Sequence, residues 1–596
     1  MNSRDIQQYV KKNFKANTIQ CSAKYHWHLV LLFREVCRML ETVEDTVAKQ
    51  AAQQARRRLH HQQDNDKHCR VILENKSTCK IHIRRSYSFF KQFGINGPPP
   101  MFILGNFLDF VRTKRISVCI QNWTAQYGNI YGYFEGHTPI LVVSDPDILH
   151  EIFIKHFSKF HSRRQFPLED RRMHKGVHLF SATGNQWRRQ RAIINPSFSI
   201  LKMKRMLPII DDSMATLIMK IEGCIKTSSE GFDIYKLYKS LTMDLIWRCC
   251  FGMKTNMQNN PNDPYLKRSQ EVFARENSAY LATLLAIFVP ELQPTWLACH
   301  CWLNYIKANL RRLLPMGERL IEDDPNEWLK DNVECFIRQA YLSHNHNHNI
   351  NDCNGNITKS TDLIHLMLDA TEKNSTVTDQ DDSNERVLSL NEVKQNIYLF
   401  MVAGYETVST ALAYVTHMLA THVGEQKKMQ NHIDSFLKVY GILDHEIINK
   451  MEYLDWFIRE TLRMYPITPI IINRECAEQI DLPGIGRISP GTKITLDMYS
   501  LHYNNDLWGP VDTKQFYPER FATKRHPMAW VAFGAGPRNC IGMQFALTEI
   551  KIAIIRLLQN YTVLPAIMND NDLDLVELVT ISPKQVRVRL EQRADK

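Results

Sequence analysis

The chain has 596 residues, 44% hydrophobic and 23% charged, with 23 Gly and 24 Pro; it can bury a large core and is not collagenous, low-complexity or wholly disordered. Its formal charge of +11 is uneven: residues 1–97 hold 18 Lys and Arg against 8 Asp and Glu, the rest is near neutral, and no nucleic-acid partner is implied. Fourteen Cys without paired zinc-type spacing predict reduced thiols in a cytosol-facing setting, with at most one in a special role.

Residues 1–80 read as a basic arm. Its most apolar stretch, Trp27 to Leu40, is interrupted by Arg34, Glu35 and Arg38, so no membrane span of about 20 residues is readable there. No signal peptide is readable either. Residues 81–97 read as a linker, and Pro98-Pro99-Pro100 stiffen the entry to a body spanning 98–596. Gly128 to Ser144 predicts a hairpin, with β-prone runs Ile130–Phe134 and Ile140–Val143, and Asp145-Pro146 opens a helix. From Trp187 to Phe457 the pattern is mostly helical, with loops at Asn256–Asp263 and His344–Lys359. In the second loop His344, His346 and His348 alternate with Asn, a spacing that favours a solvated loop over a metal site. Leu390 to His422 predicts one long helix of about 48 Å. Short strands return between Ile480 and Met498, marked by Pro483-Gly484 and Pro490-Gly491 turns. The fold class is mainly α with a smaller β part.

The chemistry concentrates in Phe533 to Gly542, FGAGPRNCIG. Gly534, Gly536 and Gly542 permit tight backbone paths, and Cys540 opens the apolar helical run Ile541–Leu558. A sulfur at a helix N-terminus is drawn toward the thiolate, fit to be a nucleophile or a metal ligand. A hydrolase would need a His base close by, and His502 or His526 could supply one only if the fold brings it there. Arg538 offers a cation suited to a carboxylate.

Phe533, Gly536, Arg538, Cys540 and Gly542 together match F-x-x-G-x-R-x-C-x-G, which resembles the haem-binding loop of the cytochrome P-450 superfamily. Further matches follow in family order. Glu460 and Arg463 fit E-x-x-R on one helix face, and Pro518-Glu519-Arg520-Phe521 resembles the P-E-R-F element; the resemblance implies a structural brace of Glu460, Arg463 and Arg520. Ala403-Gly404-Tyr405-Glu406-Thr407 is similar to A/G-G-x-D/E-T. Here Gly404 weakens the helix and Thr407 can bond back to the Ala403 carbonyl. The resemblance makes Thr407 and Glu406 the catalytic pair that organises water and proton delivery. It makes Trp187, Arg191, Arg474 and Arg538 the contacts of the haem propionates.

The resemblance runs from about residue 84 to the C-terminus and is closest to the microsomal animal clan that includes fatty-acid ω-hydroxylases and arthropod relatives. It implies a single large haem domain with the P-450 fold, haem b on the Cys540 thiolate, and insertion of one oxygen atom from O2 into a lipophilic substrate such as a fatty acid, steroid or terpenoid hormone, or xenobiotic. Electrons would come from NADPH through NADPH–cytochrome P-450 reductase, with a cytochrome b-type protein as a second donor. Location would be the endoplasmic reticulum membrane, on its cytosolic face. Two features depart from the pattern. Ala403 stands where many clan members carry a Glu that is esterified to haem, so no such link is expected. A basic arm, either a replacement or a mis-joined start, stands where the family has a hydrophobic anchor; the arm and Phe89-Phe90 could still bind a membrane surface. The distal pocket is expected from Arg163–Ser181, Tyr265–Leu297, Ala403, Ile467–Ile472 and Thr580-Ile581. A haem-thiolate isomerase or dehydratase, and a degenerate haem-binding protein, are the alternatives.

Overall fold

The computed structural model describes residues 84–164, 176–274, 302, 306, 309, 325–338, 363–372, 387–441, 443–566 and 573–593. The chain divides into Met1–Arg85 and Ser86–Lys596, and the elements below belong to the second unit. The His344–Lys359 loop and the 165–175 and 275–297 stretches of the expected pocket lie outside the described residues.

Six helices position the site: α1 Gly184–Ile194, α2 Ile200–Thr227, α3 Ile234–Leu245, α4 Leu390–Thr421, α5 Glu452–Met464 and α6 Met543–Asn560. The long helix α4 starts where the sequence provides a reciprocal cap. Ser389 accepts from the Glu392 N–H while the Glu392 side chain accepts from the Ser389 N–H, satisfying two donors that helix geometry leaves open. α6 buries 13 of its 18 residues; a helix covered on nearly every side is a core helix, and it packs with α2, α3, α4 and α5 in the largest apolar cluster.

Among the described residues the strands are β1 Ile130–Glu135, β2 Thr138–Val143, β3 Phe232–Asp233, β4 Asn473–Glu475, β5 Ile480–Leu482, β6 Gly486–Ile488, β7 Lys493–Leu496, β8 Tyr561–Pro565, β9 Leu575–Glu577, β10 Ile581–Pro583 and β11 Arg587–Gln592. The main sheet has the order β1-β2-β7-β4. β1 and β2 form the expected hairpin, with a tighter turn than the sequence pattern suggested because pairing continues to Glu135↔Thr138. β2 then pairs in parallel with β7, from Ile140↔Lys493 to Val143↔Leu496, and Ile140 through Val143 are all buried. β4 runs antiparallel to β7 and carries Arg474 opposite Ile494.

The segment read as a linker is built into this sheet from Ser86 onward. Phe90 is buried against Gly132, where a Cβ would stand 2.3 Å from the ring, and the Gly132 N–H donates to the Asn96 carbonyl. An aromatic ring seated in a glycine notch belongs to the core.

Behind the cysteine loop lies the brace. Arg463 grips Glu460 through Nε and Nη2 at 2.7 and 2.9 Å, and Arg520 Nε donates to the same carboxylate at 3.1 Å. The leftover guanidinium N–H groups reach the carbonyls of His502 and Thr513 from Arg463, and of Trp508, Val511, Asp512 and Gln515 from Arg520. All three side chains are buried, and every charge has a partner, which is the condition for tolerating ions in a core.

Candidate active site

The loop before α6 is shaped by its glycines. Gly536 has φ +69°, and a Cβ there would stand 2.0 Å from the Phe153 carbonyl oxygen, so only glycine fits. That carbonyl belongs to a π-helical turn, Glu151–Lys155. The Asn539 N–H closes a turn on Gly536, and the Cys540 N–H donates to the Phe533 carbonyl at 2.8 Å. The helix itself begins at Met543 with Gly542 as its cap, two residues later than the sequence pattern placed it.

The exposed side chain of Cys540 faces inward, onto a cavity of about 290 Å³. Phe533, Gly534 and Gly542 share that wall, while Ala403, Gly404 and Thr407 of α4 line it from another element. Apolar side chains fill much of the remainder, among them Leu179, Phe180, Phe400, Ile467, Ile471 and Ile472. Of the expected pocket segments, Arg163, Leu179, Phe180, Ala403, Ile467, Thr468, Ile471 and Ile472 line the cavity, whereas none of the described residues of Tyr265–Leu297 does, nor do Ile470, Thr580 and Ile581.

Thr407 Oγ1 donates to the Ala403 carbonyl at 2.8 Å, the back-bond anticipated from the sequence. Gly404 brings α4 close to a second π-helical turn, Ile246–Cys250: a Cβ at 404 would stand 3.0 Å from Ile246 Cδ1. Glu406 does not line the cavity. Its Oε1 accepts from Tyr235 Oη of α3 at 2.7 Å, and Lys239 Nζ stands 3.5 Å from Oε2. The reason is helical geometry: neighbouring residues point about 100° apart, so Thr407 facing the cavity turns Glu406 toward α3.

Four arginines surround the cavity: Arg163, Arg191, Arg474 and Arg538. Arg474 donates to the carbonyls of Asn473 and Ala535 and lies 4.2 Å from the Phe153 ring centre. Arg538 donates to the carbonyls of Phe180 and Ala182 and lies 4.7 Å from the Trp187 ring. Arg163 donates to the Arg538 carbonyl at 3.0 Å and lies 4.1 Å over the Phe180 ring. Sequence reasoning reached Arg163 only as the end of a pocket segment, because nothing local marks it.

These acceptors are neutral, and the Nε atoms of Arg163 and Arg474 are buried with no hydrogen-bond partner among the described residues. Burial pushes Arg163 down to about 10, and burial followed by the charges of Arg163 and Arg538 pushes Arg474 well below its ordinary value. Clustered cations on a largely apolar cavity wall, with neutral acceptors for Arg163 and Arg474, fit a ligand with an anionic edge. Apolar walls fit its flat body, and the sulfur fits a metal at its centre. The residues therefore suit a haem.

Burial also raises the Cys540 thiol above its ordinary value, outweighing the Gly542 N–H and the charges of Arg191 and Arg163, which lower it. The N–H group and cations that favour thiolate are present as expected but are opposed by burial, and a bound metal cation would stabilise the anion. Among the described residues no His lines the cavity to serve as a hydrolase base. His502 Nδ1–H donates to the Arg463 carbonyl and its Nε2 accepts from the Val531 N–H; His526 accepts from the Met528 N–H, and neither ring lines the cavity.

The family model described as Cytochrome P450 matches residues 95–588. The chain belongs to the cytochrome P450 family. Rabbit (Oryctolagus cuniculus) cytochrome P450 3A6 is 31% identical over 483 residues, covering 80% of this chain and 87% of the relative. A Caenorhabditis elegans protein named cytochrome P450 CYP13A2 is 31% identical, covering 85% and 95%, and human (Homo sapiens) cytochrome P450 3A5 is 30% identical, covering 81% and 88%. Membership makes this P450 a haem-binding, iron-dependent monooxygenase of the oxidoreductase class, with a cysteine thiolate as the implied ligand. The mainly α fold with a smaller β part agrees. No helix among the described residues is long and apolar enough to cross a membrane.

Proposed function

We propose that this P450 inserts one atom of O2 into a lipophilic substrate, with electrons from NADPH delivered by NADPH–cytochrome P-450 reductase and, as a second donor, a cytochrome b-type protein. The supporting observation is the cavity itself: the Cys540 loop, apolar walls, a hydroxyl on α4 and a rim of cations in a single space. Haem, when bound, supplies O2 activation and electron storage.

Each residue then has a task. Cys540 would hold the haem iron through its sulfur, with Phe533 and Gly536 shaping its loop. Arg163, Arg191, Arg474 and Arg538, with Trp187, hold the anionic edge of the cofactor. Thr407 orients water at the wall it shares with Ala403 and Gly404. Glu406 supplies protons from the α3 side, where it accepts from Tyr235 and lies 3.5 Å from Lys239 Nζ. Apolar side chains exclude water and hold the substrate by its hydrocarbon surface, leaving fatty acids, steroid or terpenoid hormones and xenobiotics as the substrate classes. The domain plan is a basic arm at 1–80 followed by the haem domain, acting at the cytosolic face of the endoplasmic reticulum membrane.

The test is oxygen accounting. With reductase, NADPH and isotopically labelled O2, one labelled atom is expected in the product of a lipophilic substrate panel, and Cys540→Ala abolishes this. A haem-loaded protein that converts substrate without consuming O2 would establish the isomerase alternative; retention of Thr407 on the cavity favours the monooxygenase.

A further inference from the structure

Arg191 has a more specific placement than a general contact to an anionic cofactor edge. Its Nη1 donates to the backbone carbonyl of Asn539 at 2.9 Å, and its Nη2 donates to Asn539 Oδ1 at 3.0 Å. Both terminal nitrogens are therefore held by one residue, and that residue immediately precedes Cys540. A guanidinium is a rigid planar fork, so two acceptors spaced to match it fix the plane as well as the position. Arg191 lies on α1, hundreds of residues earlier in the chain, and it lines the same cavity as Cys540. Both acceptors are neutral, so Asn539 fixes the guanidinium without cancelling its charge. The side-chain amide is the part that matters. A backbone carbonyl is available from any residue at 539, but the second acceptor comes only from a side chain of this length.

We propose that Asn539 is a positioning residue: it holds Arg191 as the counter-charge of the Cys540 sulfur and thereby raises the reduction potential of the bound iron. This rests on the haem-thiolate reading above. A fixed positive charge favours the reduced, more electron-rich centre. Alanine at 539 would leave Arg191 with one acceptor and freedom to turn away. Aspartate would keep the fork and cancel the charge.

The test uses the full-length haem-loaded protein and reads the potential by spectroelectrochemical titration, with the reduced carbonyl spectrum as a check on ligation. Asn539→Ala and Asn539→Asp are both expected to move the potential negative, with Asp moving it further. Asn539→Ala should add no further shift in an Arg191→Gln background. An unchanged potential in Asn539→Ala, or a shift that persists in full in the double variant, overturns the proposal. Where Arg191→Gln fails to retain haem, the Asp-against-Ala order decides, and a shift in Asn539→Asp no larger than in Asn539→Ala overturns it. Failure of the haem-thiolate reading looks different: the unsubstituted protein itself would lack a thiolate-type carbonyl band.

Discussion

Two clusters of arginine, the brace and the cavity rim, behave oppositely. In the brace, Arg463 and Arg520 close on the Glu460 carboxylate and spend their other N–H groups on backbone carbonyls. At the cavity rim, the acceptors shown for Arg163, Arg191 and Arg474 are neutral, and two Nε atoms have no partner among the described residues. A saturated ionic cluster is finished when the chain folds. One left short of counter-charge is completed by something else. The contrast separates residues that hold the fold from residues that hold a ligand.

The largest expected effect breaks the first cluster. Glu460→Ala leaves two buried guanidiniums unneutralised and should cost about 3–5 kcal/mol, read as a drop in thermal midpoint and soluble yield. Retention of near-normal stability would show that the brace is dispensable.

Next comes acid. His502, beside Arg463, is held neutral: burial, then the charge of Arg463, lowers it to about 3. The unfolded ring takes up a proton near its ordinary value of about 6.5 and the folded ring does not, so stability is full above that pH and falls as pH drops from there toward 3. At about pH 5 the loss from this ring alone should be about 2 kcal/mol. Denaturant titrations of the native protein and His502→Gln should show a shallower acid slope in the variant; identical slopes would remove His502 as the cause.

The rim should respond the other way round. Arg474→Gln removes a buried cation lacking a counter-charge, so the haem-free protein should unfold no earlier, while haem should dissociate about ten-fold faster, equivalent to about 1.4 kcal/mol. Transfer of haem to an acceptor protein measures the rate. A haem-free protein destabilised as much as by Glu460→Ala would erase the distinction between the clusters. Thr407→Ala is the mildest: its back-bond contributes about 1 kcal/mol or less, and the carbonyl spectrum should be preserved. Peroxide release per NADPH should nevertheless rise, and unchanged coupling would remove Thr407 from proton delivery.

Much of the site was readable in advance where function depends on residues close in sequence. The cysteine loop, the Glu460–Arg463 pair and the Thr407 back-bond are set by spacing within one turn or helix. Long-range facts were not. No pattern announces that β2 pairs in parallel with β7, or that Arg163 returns to the Arg538 carbonyl. Glu406 shows the limit of motif reading, since its presence was plain while its direction was set by Tyr235 and Lys239 on another helix. The Cys540 thiol shows another: the helix-terminus effect was foreseen, whereas the opposing burial needed three dimensions to weigh.

The central claim is that the Cys540 sulfur serves as the axial ligand in the cavity it faces. The most direct measurement is the reduced, carbon-monoxide-bound absorption spectrum of the haem-loaded protein and of Cys540→Ala. A thiolate-type Soret band in the native protein that vanishes in Cys540→Ala is the predicted result. A band that survives the substitution unchanged would contradict the account.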